Sequence, residues 1–412
     1  MTLRTRPLSN YDQHTSQMDE IKEKIEEYLA KKFRISKSYS TVNSYRVALN
    51  RFGLFLNKKD TDIIEILKQI KDTKILDPIS LLDEFFSDLS NDKKRLSNNT
   101  MRLYLTSAKD FLNSEGCKIY NEDIKHRFRL PKKNRAFEEG LTKKTIYRII
   151  RLASQKLSTV ILMICSSGMR IAEVSQLRVD DIDFTANPVT VMIRAQTTKT
   201  REARITCIST EAKLALQDYM QRSQITSGYL FLKTHEQKIA ELKSMDDSNS
   251  DTDFNGRNKK RLAKLELELD TLPKEDLHEK AVISTKHSLE NSLVLLIEKI
   301  PDLSKKTEHG RYTIHYHALR AWFKTQVTDA HQSDYAEALM GHKSLKLDYY
   351  RQNQEARSRV YLEIEHALTI ADTEKIEKSH TKIQKENLEL RGMIDSLSHQ
   401  LQNLEQKIEI HY

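Results

Sequence analysis

The sequence of 412 residues predicts a mainly α-helical protein with one small antiparallel β-sheet. Glycine and proline are rare, at nine and six residues, which argues against collagen-like, sandwich and glycine-linker architectures. Apolar residues recur at helical spacing in many segments of the chain. Two neighbouring runs, 189–193 and 203–208, have the short apolar character of strands, and the polar residues between them predict a β-hairpin.

The first 125 residues predict a disordered N-terminus followed by a helical bundle. Residues 1–17 are polar, and we expect them to be disordered. Residues 18–125 contain four segments with helical apolar spacing, and the last of these follows a polar N-cap cluster at Ser97 to Thr100. The polar faces are rich in Lys and Arg. We therefore expect a compact bundle of about four or five helices.

A basic connector at 126–140 separates this bundle from a second domain at 141–370. Pro131 and the loss of periodicity mark the boundary, and the connector is either a solvated linker or a segment that lies along a phosphate backbone. In the second domain, Thr142 is expected to cap a helix over 143–152. Residues of about 234–305 are rich in charge, with an acidic tract at 246–253, and predict an insertion or flexible excursion.

The C-terminal residues 371–412 predict a coiled coil. Two mostly apolar series with a spacing of seven are offset by three and four residues, as in an a/d heptad seam. The series are His380, Asn387, Ile394, Leu401 and Ile408, and Ile376, Ile383, Leu390, Leu397 and Leu404. Asn387 at an a position favours a two-stranded parallel coil. The alternative is a single amphipathic helix that packs on its own protein.

Charge and cysteine content restrict the partners and the compartment. The formal charge of +9 and the pI of about 9.1 suit a polyanionic partner, although many basic proteins bind no nucleic acid. Three widely spaced cysteines argue against a disulfide framework or a zinc knuckle, and Cys165 is expected to be a small core residue. The polar N-terminus and the lack of a run near ~18 apolar residues predict a soluble, cytoplasmic protein without a membrane partner.

Arg170 is the first polar residue whose position packing does not explain. It follows the turn at Gly168 and opens a predicted amphipathic helix, where the helix dipole disfavours a cation. An anion such as phosphate beside the arginine would account for it. Glu173, one turn later, could orient the guanidinium, and the alternative is a surface Arg–Glu pair.

Two further clusters follow in the C-terminal half of the second domain. His317 and Arg320 are three residues apart, so they share a face if they lie on a helix. A Gly-His pair ends at His342, and the tyrosines Tyr349 and Tyr350 follow seven and eight residues later.

Together, and in this order, these segments resemble the tyrosine recombinase (phage integrase) family. The segments at Arg170, His317 and His342 are similar to its Gly-x-Arg-x-x-Glu, His-x-x-Arg and Gly-His boxes, and Lys199 in the hairpin falls where that family keeps a catalytic lysine. The acidic turn at 180–183 matches the end of the first box. The resemblance covers about residues 20–365, interrupted by the insertion, and the tail more loosely resembles integrases of archaeal mobile elements.

The resemblance implies a fold and a chemistry. Residues 18–125 would be the helical core-binding domain, and 141–370 the mixed α/β catalytic domain. Arg170 and Arg320 would clamp one scissile phosphate, and His317 and His342 would add hydrogen bonds and shift protons. A tyrosine would form a covalent 3′-phosphotyrosyl link while Lys199 protonates the leaving 5′-oxygen. No metal or nucleotide cofactor is implied.

The position of the nucleophile departs from the family pattern, which places it nine residues after the Gly-His histidine. Tyr350 is nearer to that spacing and is the predicted nucleophile, with Tyr349 as the rival. The following segment, 351–370, resembles a closing helix that packs against a neighbouring protomer.

The predicted function is site-specific integration, excision or resolution of DNA. The implied partners are double-stranded DNA, held between the two domains as in a clamp, and other copies of the chain in a tetrameric synapse or a coiled-coil dimer. The implied location is the nucleoid. The rivals are a type IB topoisomerase, a non-catalytic DNA-binding protein of the same fold, and a coiled-coil scaffold. The intact boxes and the helical N-terminal bundle favour the recombinase.

Overall fold

The structure is a computed structural model that divides into two compact units, Met1–Phe137 and Glu138–Tyr412. The residues that it describes are 10–36, 38–57, 66–67, 77–92, 96–122, 124, 140–246, 252–307, 310–341, 353–371 and 393. The described residues are mainly helical and include one small antiparallel sheet, which confirms this part of the predicted fold class.

The first unit contains the helices α1 (Asn10–Ser36), α2 (Tyr39–Asn57), α3 (Pro78–Ser90) and α4 (Asn98–Ser114). Their apolar faces meet in one core around Phe52, Phe85 and Phe111, which are fully buried. The cap predicted before α4 is present, since the Ser97 hydroxyl accepts a hydrogen bond from the Thr100 N–H at 3.2 Å. The sequence therefore predicted this bundle from its apolar spacing.

The prediction of disorder through residue 17 is wrong for its last eight residues, because α1 already begins at Asn10. Adding a residue to an existing helix gains a hydrogen bond at little further entropic cost. The apolar stripe that includes Ile25 and Leu29 anchors the helix in the core, so a polar segment ahead of it can extend the same helix.

The second unit is built around a buried helix. It begins with α5 (Lys143–Leu152), α6 (Gln155–Ser167) and the short α7 (Ile171–Val174), and Thr142 caps α5 as predicted. Every residue of α6 from Val160 to Ser167 is buried, and it includes Cys165, as expected for a small core residue. All three cysteines are buried.

The sheet has the order β1 (Ile182–Asp183), β2 (Val189–Ile193) and β3 (Arg204–Ile208) and is antiparallel throughout. In the β2–β3 hairpin, Val189 pairs with Ile208 and Ile193 pairs with Arg204, which confirms the predicted hairpin. The buried Thr206 of β3 donates its hydroxyl hydrogen to the Ser167 carbonyl at 3.0 Å. This bond ties the sheet to the C-terminal end of α6.

The helices α8 (Thr210–Arg222), α9 (His235–Asp246), α10 (Thr252–Thr271) and α11 (Lys274–Glu298) follow the sheet. The segment at 234–305 is therefore helical over most of its described length. Its last part is not an excursion, because Leu289, Leu293 and Ile297 of α11 are buried in the same core as α6. Their spacing of four places them on one helix face, which the high charge of the segment obscured in the sequence.

The C-terminal part of this unit contains α12 (Tyr316–Asp329), α13 (Ser333–Met340) and α14 (Gln354–Leu368). The structure packs one face of α14 on its own chain, and a contact of this segment with a neighbouring protomer stays a prediction. Tyr361 is fully buried, and its hydroxyl donates to the Ser166 carbonyl at 2.7 Å. The carboxylate of Glu211 accepts the backbone N–H groups of Ile370 and Ala371 at 2.8 and 2.9 Å.

The predicted coiled-coil seam at 376–408 lies outside the described residues. So do most of the basic connector at 126–140 and the central part of the acidic tract. No described helix is long and apolar enough to cross a membrane.

Candidate active site

The site begins at the sharp turn after α6. Gly168 ends this helix in the left-handed conformation, with φ at +65°. A Cβ atom at this position would lie 2.5 Å from Phe323 Cδ1, so both the backbone conformation and the space require glycine. The turn places Arg170 at the N-cap position of α7.

Glu173 is the buried centre of the site. Its side chain is 1 % exposed, and its carboxylate accepts the Arg170 backbone N–H at 2.8 Å and the Arg170 Nη1 at 2.9 Å. The Arg–Glu pair is therefore not a surface pair. Burial alone would raise the pKa of Glu173, but the hydrogen bonds and charge of Arg204, together with the bonds from Arg170, lower it below 4.5.

Arg204 is a member of the site that sequence reasoning missed. From the first position of β3 it donates Nη1 and Nη2 to the two oxygens of Glu173, at 3.1 and 2.7 Å. Its Nε donates to the Leu339 carbonyl at 2.7 Å. The available signal was a cation at the start of an apolar strand, but the sequence does not show which carboxylate that cation would meet.

Arg320 lies on α12 and is almost fully buried, at 2 % exposure. Its Nη1 donates to the Gly168 carbonyl, and its Nη2 donates to the Met340 carbonyl at 2.9 Å. Burial, reinforced by the charge of Arg170, lowers the pKa of Arg320 to about 9, so the guanidinium is still charged at neutral pH.

The structure brings the predicted site residues Arg170 and Arg320 together. The Nη1 of Arg170 lies 3.5 Å from the same Met340 carbonyl oxygen that Arg320 contacts. Arg170 is 27 % exposed, so part of its guanidinium is open to a ligand. Two arginines from different helices therefore meet at the end of α13.

His317 and Lys199 are both exposed. His317 is on α12 one turn before the buried Arg320, and its ring centroid is 6.3 Å from that of His315. Lys199 is in the β2–β3 turn. This turn is held by Thr198, whose hydroxyl donates to the Ala195 carbonyl at 3.0 Å and accepts the Glu202 N–H at 3.1 Å. The fold thus presents both side chains to solvent.

The predicted residues His342, Tyr349 and Tyr350 lie outside the described residues. The residue before His342 is described, and it belongs to the site. Gly341 has a φ of +65°, and a Cβ at this position would lie 2.9 Å from Arg204 Cδ. The chain therefore leaves α13 directly beside the arginine cluster.

The charges of this cluster suit an oxyanion. Arg170, Arg204 and Arg320 surround the single carboxylate of Glu173, while Glu337 at the edge is paired with Lys324. Guanidinium groups match the geometry of phosphate oxygens. Among the residues that the structure describes, no group of three or more His, Cys, Asp or Glu side chains could hold a metal ion.

Residues 139–273 match the phage integrase family. The match includes Arg170, Glu173, Lys199 and Arg204 and ends before His317. None of the curated proteins that were compared matches this sequence.

Solved structures of three recombinases are similar at low identity. The XerA recombinase is 18 % identical, with 83 % of this chain and 98 % of that chain covered and a TM-score of 0.33. A lambda integrase dimer bound to a COC′ core site is 13 % identical, with 81 % of this chain and 97 % of that chain covered and a TM-score of 0.48. XerH bound to difH substrate is 15 % identical, with 92 % of this chain and 91 % of that chain covered and a TM-score of 0.45. The sequence match relates residues 139–273 of this chain to the phage integrase family, the tyrosine recombinases.

Proposed function

We propose that this protein is a site-specific DNA recombinase of the integrase type, which cleaves and rejoins strands through a 3′-phosphotyrosyl intermediate. The observation that carries the proposal is the convergence of Arg170 and Arg320 on one carbonyl oxygen, one residue before Gly341 and two before His342. Two guanidiniums that meet at one oxygen are suited to a shared phosphate.

The proposed roles follow from these positions. Arg170 and Arg320 bind the non-bridging oxygens of the scissile phosphate, and Glu173 with Arg204 keeps Arg170 in place. Tyr350 attacks phosphorus, the bond to the 5′-oxygen breaks, and Lys199 donates the proton that the leaving oxygen takes up. His317 and His342 donate hydrogen bonds to the phosphate and move protons. Rejoining reverses these steps, so the reaction needs no external energy source.

Access to Arg320 requires a movement. At 2 % exposure the guanidinium is covered, and its bond to Met340 is made with the last residue of α13. We propose that the C-terminal end of α13 shifts when DNA binds, so that the phosphate replaces the Met340 carbonyl beside Arg320.

Double-stranded DNA is the proposed substrate. The support is the net charge of +9 and the basic residues on the helices of the first unit. Such an enzyme would act on the nucleoid in the cytoplasm, as a synapse of four copies on DNA.

The test is capture of a covalent adduct. Target duplexes are selected from random DNA by binding, and a selected site is nicked beside the cleavage position so that religation fails. Wild type and Tyr349→Phe should accumulate a protein–DNA adduct, and Tyr350→Phe should not. The reverse pattern would identify Tyr349 as the nucleophile. No adduct from the wild type on any selected site, with DNA binding intact, contradicts the enzymatic proposal.

For the tail, we propose a two-stranded parallel coiled coil over 376–408, supported by the two heptad series and Asn387. Truncation after Ala371 should lower the solution mass of the DNA-free protein, measured by light scattering, by more than the mass of the deleted residues. A loss equal to the deleted mass contradicts the coil as a dimerisation element.

A further inference from the structure

A second basic site lies away from the arginine cluster, where the charged helices α9, α10 and α11 meet the core of the second unit. A partly open cavity of about 320 Å³ lies there. Its volume is at the lower end of the ~300–1,000 Å³ range of small-ligand sites. Its lining combines residues of the predicted insertion with Lys156 of α6 and Phe231.

The lining is strongly cationic. Lys156, Lys233, Lys238 and Arg261 all line the cavity, against one carboxylate, Glu241. Lys233 already neutralises that carboxylate, since its Nζ donates to both oxygens at 2.8 and 2.7 Å. The net charge at the cavity wall is therefore positive.

Two of the lysines are fixed and partly removed from water. The Nζ of Lys156 donates to the Phe231 carbonyl at 3.0 Å, and the Nζ of Lys238 donates to the Ser284 hydroxyl at 3.2 Å. Burial lowers the pKa of both lysines, and neighbouring cations lower it further: Lys233 acts on Lys156, and Arg261 acts on Lys238. Glu268 on α10 opposes this effect at Lys238. Cations that repel one another inside a cavity are stabilised when an anion binds between them.

Neutral donors complete the lining. Ser284, Thr285 and Ser288 of α11 line the cavity with side chains that carry hydroxyls, and Phe231 and Leu242 supply apolar surface. Hydroxyls beside Lys and Arg are a common donor set for phosphate oxygens, and the apolar part can hold the remainder of an organic molecule.

We propose that this cavity binds a small molecule carrying a phosphate group, of up to about nucleotide size, independently of the DNA-cleaving site. The proposal does not depend on the recombinase activity, because none of the lining residues belongs to the arginine cluster.

The test uses the full chain with inorganic phosphate, pyrophosphate and AMP as separate probes, titrated by calorimetry at constant ionic strength in chloride. Measurements are made in an Arg170→Ala background, so that phosphate at the arginine cluster does not obscure the result. We expect one equivalent of at least one probe to bind. Adding Lys238→Ala and Arg261→Ala should weaken that binding at least tenfold, as expected for the loss of two charge-assisted contacts.

The matched control replaces Lys259 and Lys260 by Ala. It removes the same charge from exposed positions of α10, the helix that carries Arg261, without touching the cavity. This control should bind as the background does, and equal melting temperatures of the ligand-free variants exclude unfolding. The proposal is overturned if no probe binds, or if both double variants weaken binding equally. It is also overturned if phosphate compounds fail to bind while Lys238→Ala with Arg261→Ala reduces affinity for duplex DNA, since the cavity would then contact the DNA backbone.

Discussion

Removing Arg204 tests whether it holds the active site together through Glu173. In Arg204→Met, the buried carboxylate loses two of its hydrogen bonds and keeps those from Arg170. Breaking a buried ion pair by deleting one partner costs about 3–5 kcal/mol, and Arg170 then compensates the charge of Glu173 only in part. For a domain of this size we expect the melting temperature to fall by roughly 6–20 °C.

The assay is thermal unfolding followed by circular dichroism, with Arg222→Met as the control. Arg222 also pairs with a carboxylate, Asp218, but the two side chains are 69 % and 46 % exposed. Its loss should cost no more than about 0.5 kcal/mol. An equal destabilisation by the two substitutions would show that burial of the Glu173 pair is not what makes Arg204 important.

A double-mutant cycle identifies the partner. In a Glu173→Gln background no buried charge is left behind, so Arg204→Met should cost about 1–3 kcal/mol less than in the wild type. The same cost in both backgrounds would refute the coupling. At a temperature where Arg204→Met is folded, slower adduct formation with unchanged DNA affinity would identify Arg204 as a positioning residue.

Three further predictions concern the same site. Gly168→Ala combines left-handed strain with a clash against Phe323 and should lower the free energy of unfolding, measured by urea titration, by about 2–4 kcal/mol. The control Gly228→Ala has a φ of +77° and no atom within 4 Å of the new Cβ, and it should lower the free energy of unfolding by about 1–2 kcal/mol. Equal costs would mean that the contact with Phe323 is unimportant. The pKa of Glu173 is lowered in the folded protein, so the ionised carboxylate stabilises the fold above pH 4.5, and this stabilisation is lost as the pH falls through the folded-state pKa. The difference in free energy of unfolding between wild type and Glu173→Gln should therefore narrow below pH 4.5. A constant difference from pH 7 to pH 3 would contradict this. Lysine cannot donate to the Gly168 and Met340 carbonyls as the guanidinium fork does. Arg320→Lys should therefore slow adduct formation at saturating DNA by about 100-fold or more. An unchanged rate would show that Arg320 does not take part in the reaction.

The sequence was most informative where a pattern is local. The cap at Thr142, the β2–β3 hairpin and the four helices of the first unit follow from periodicity and capping chemistry over a few residues. It was least informative for the charged segment 234–305, where the apolar face of α11 that includes Leu289 and Ile297 is obscured by the surrounding charges.

By itself, the sequence determined the resemblance to the tyrosine recombinases and the order of the candidate residues, because the types and spacing of Arg170, Lys199, His317, Arg320 and His342 are readable along one chain. Only the tertiary structure decided that Arg170 and Arg320, 150 positions apart, meet at the Met340 carbonyl, and that Arg204 reaches Glu173 from another element. The physical reason is that a buried carboxylate takes its partners from whichever helices and strands pack around it. Those contacts are set by the core and not by distance along the chain.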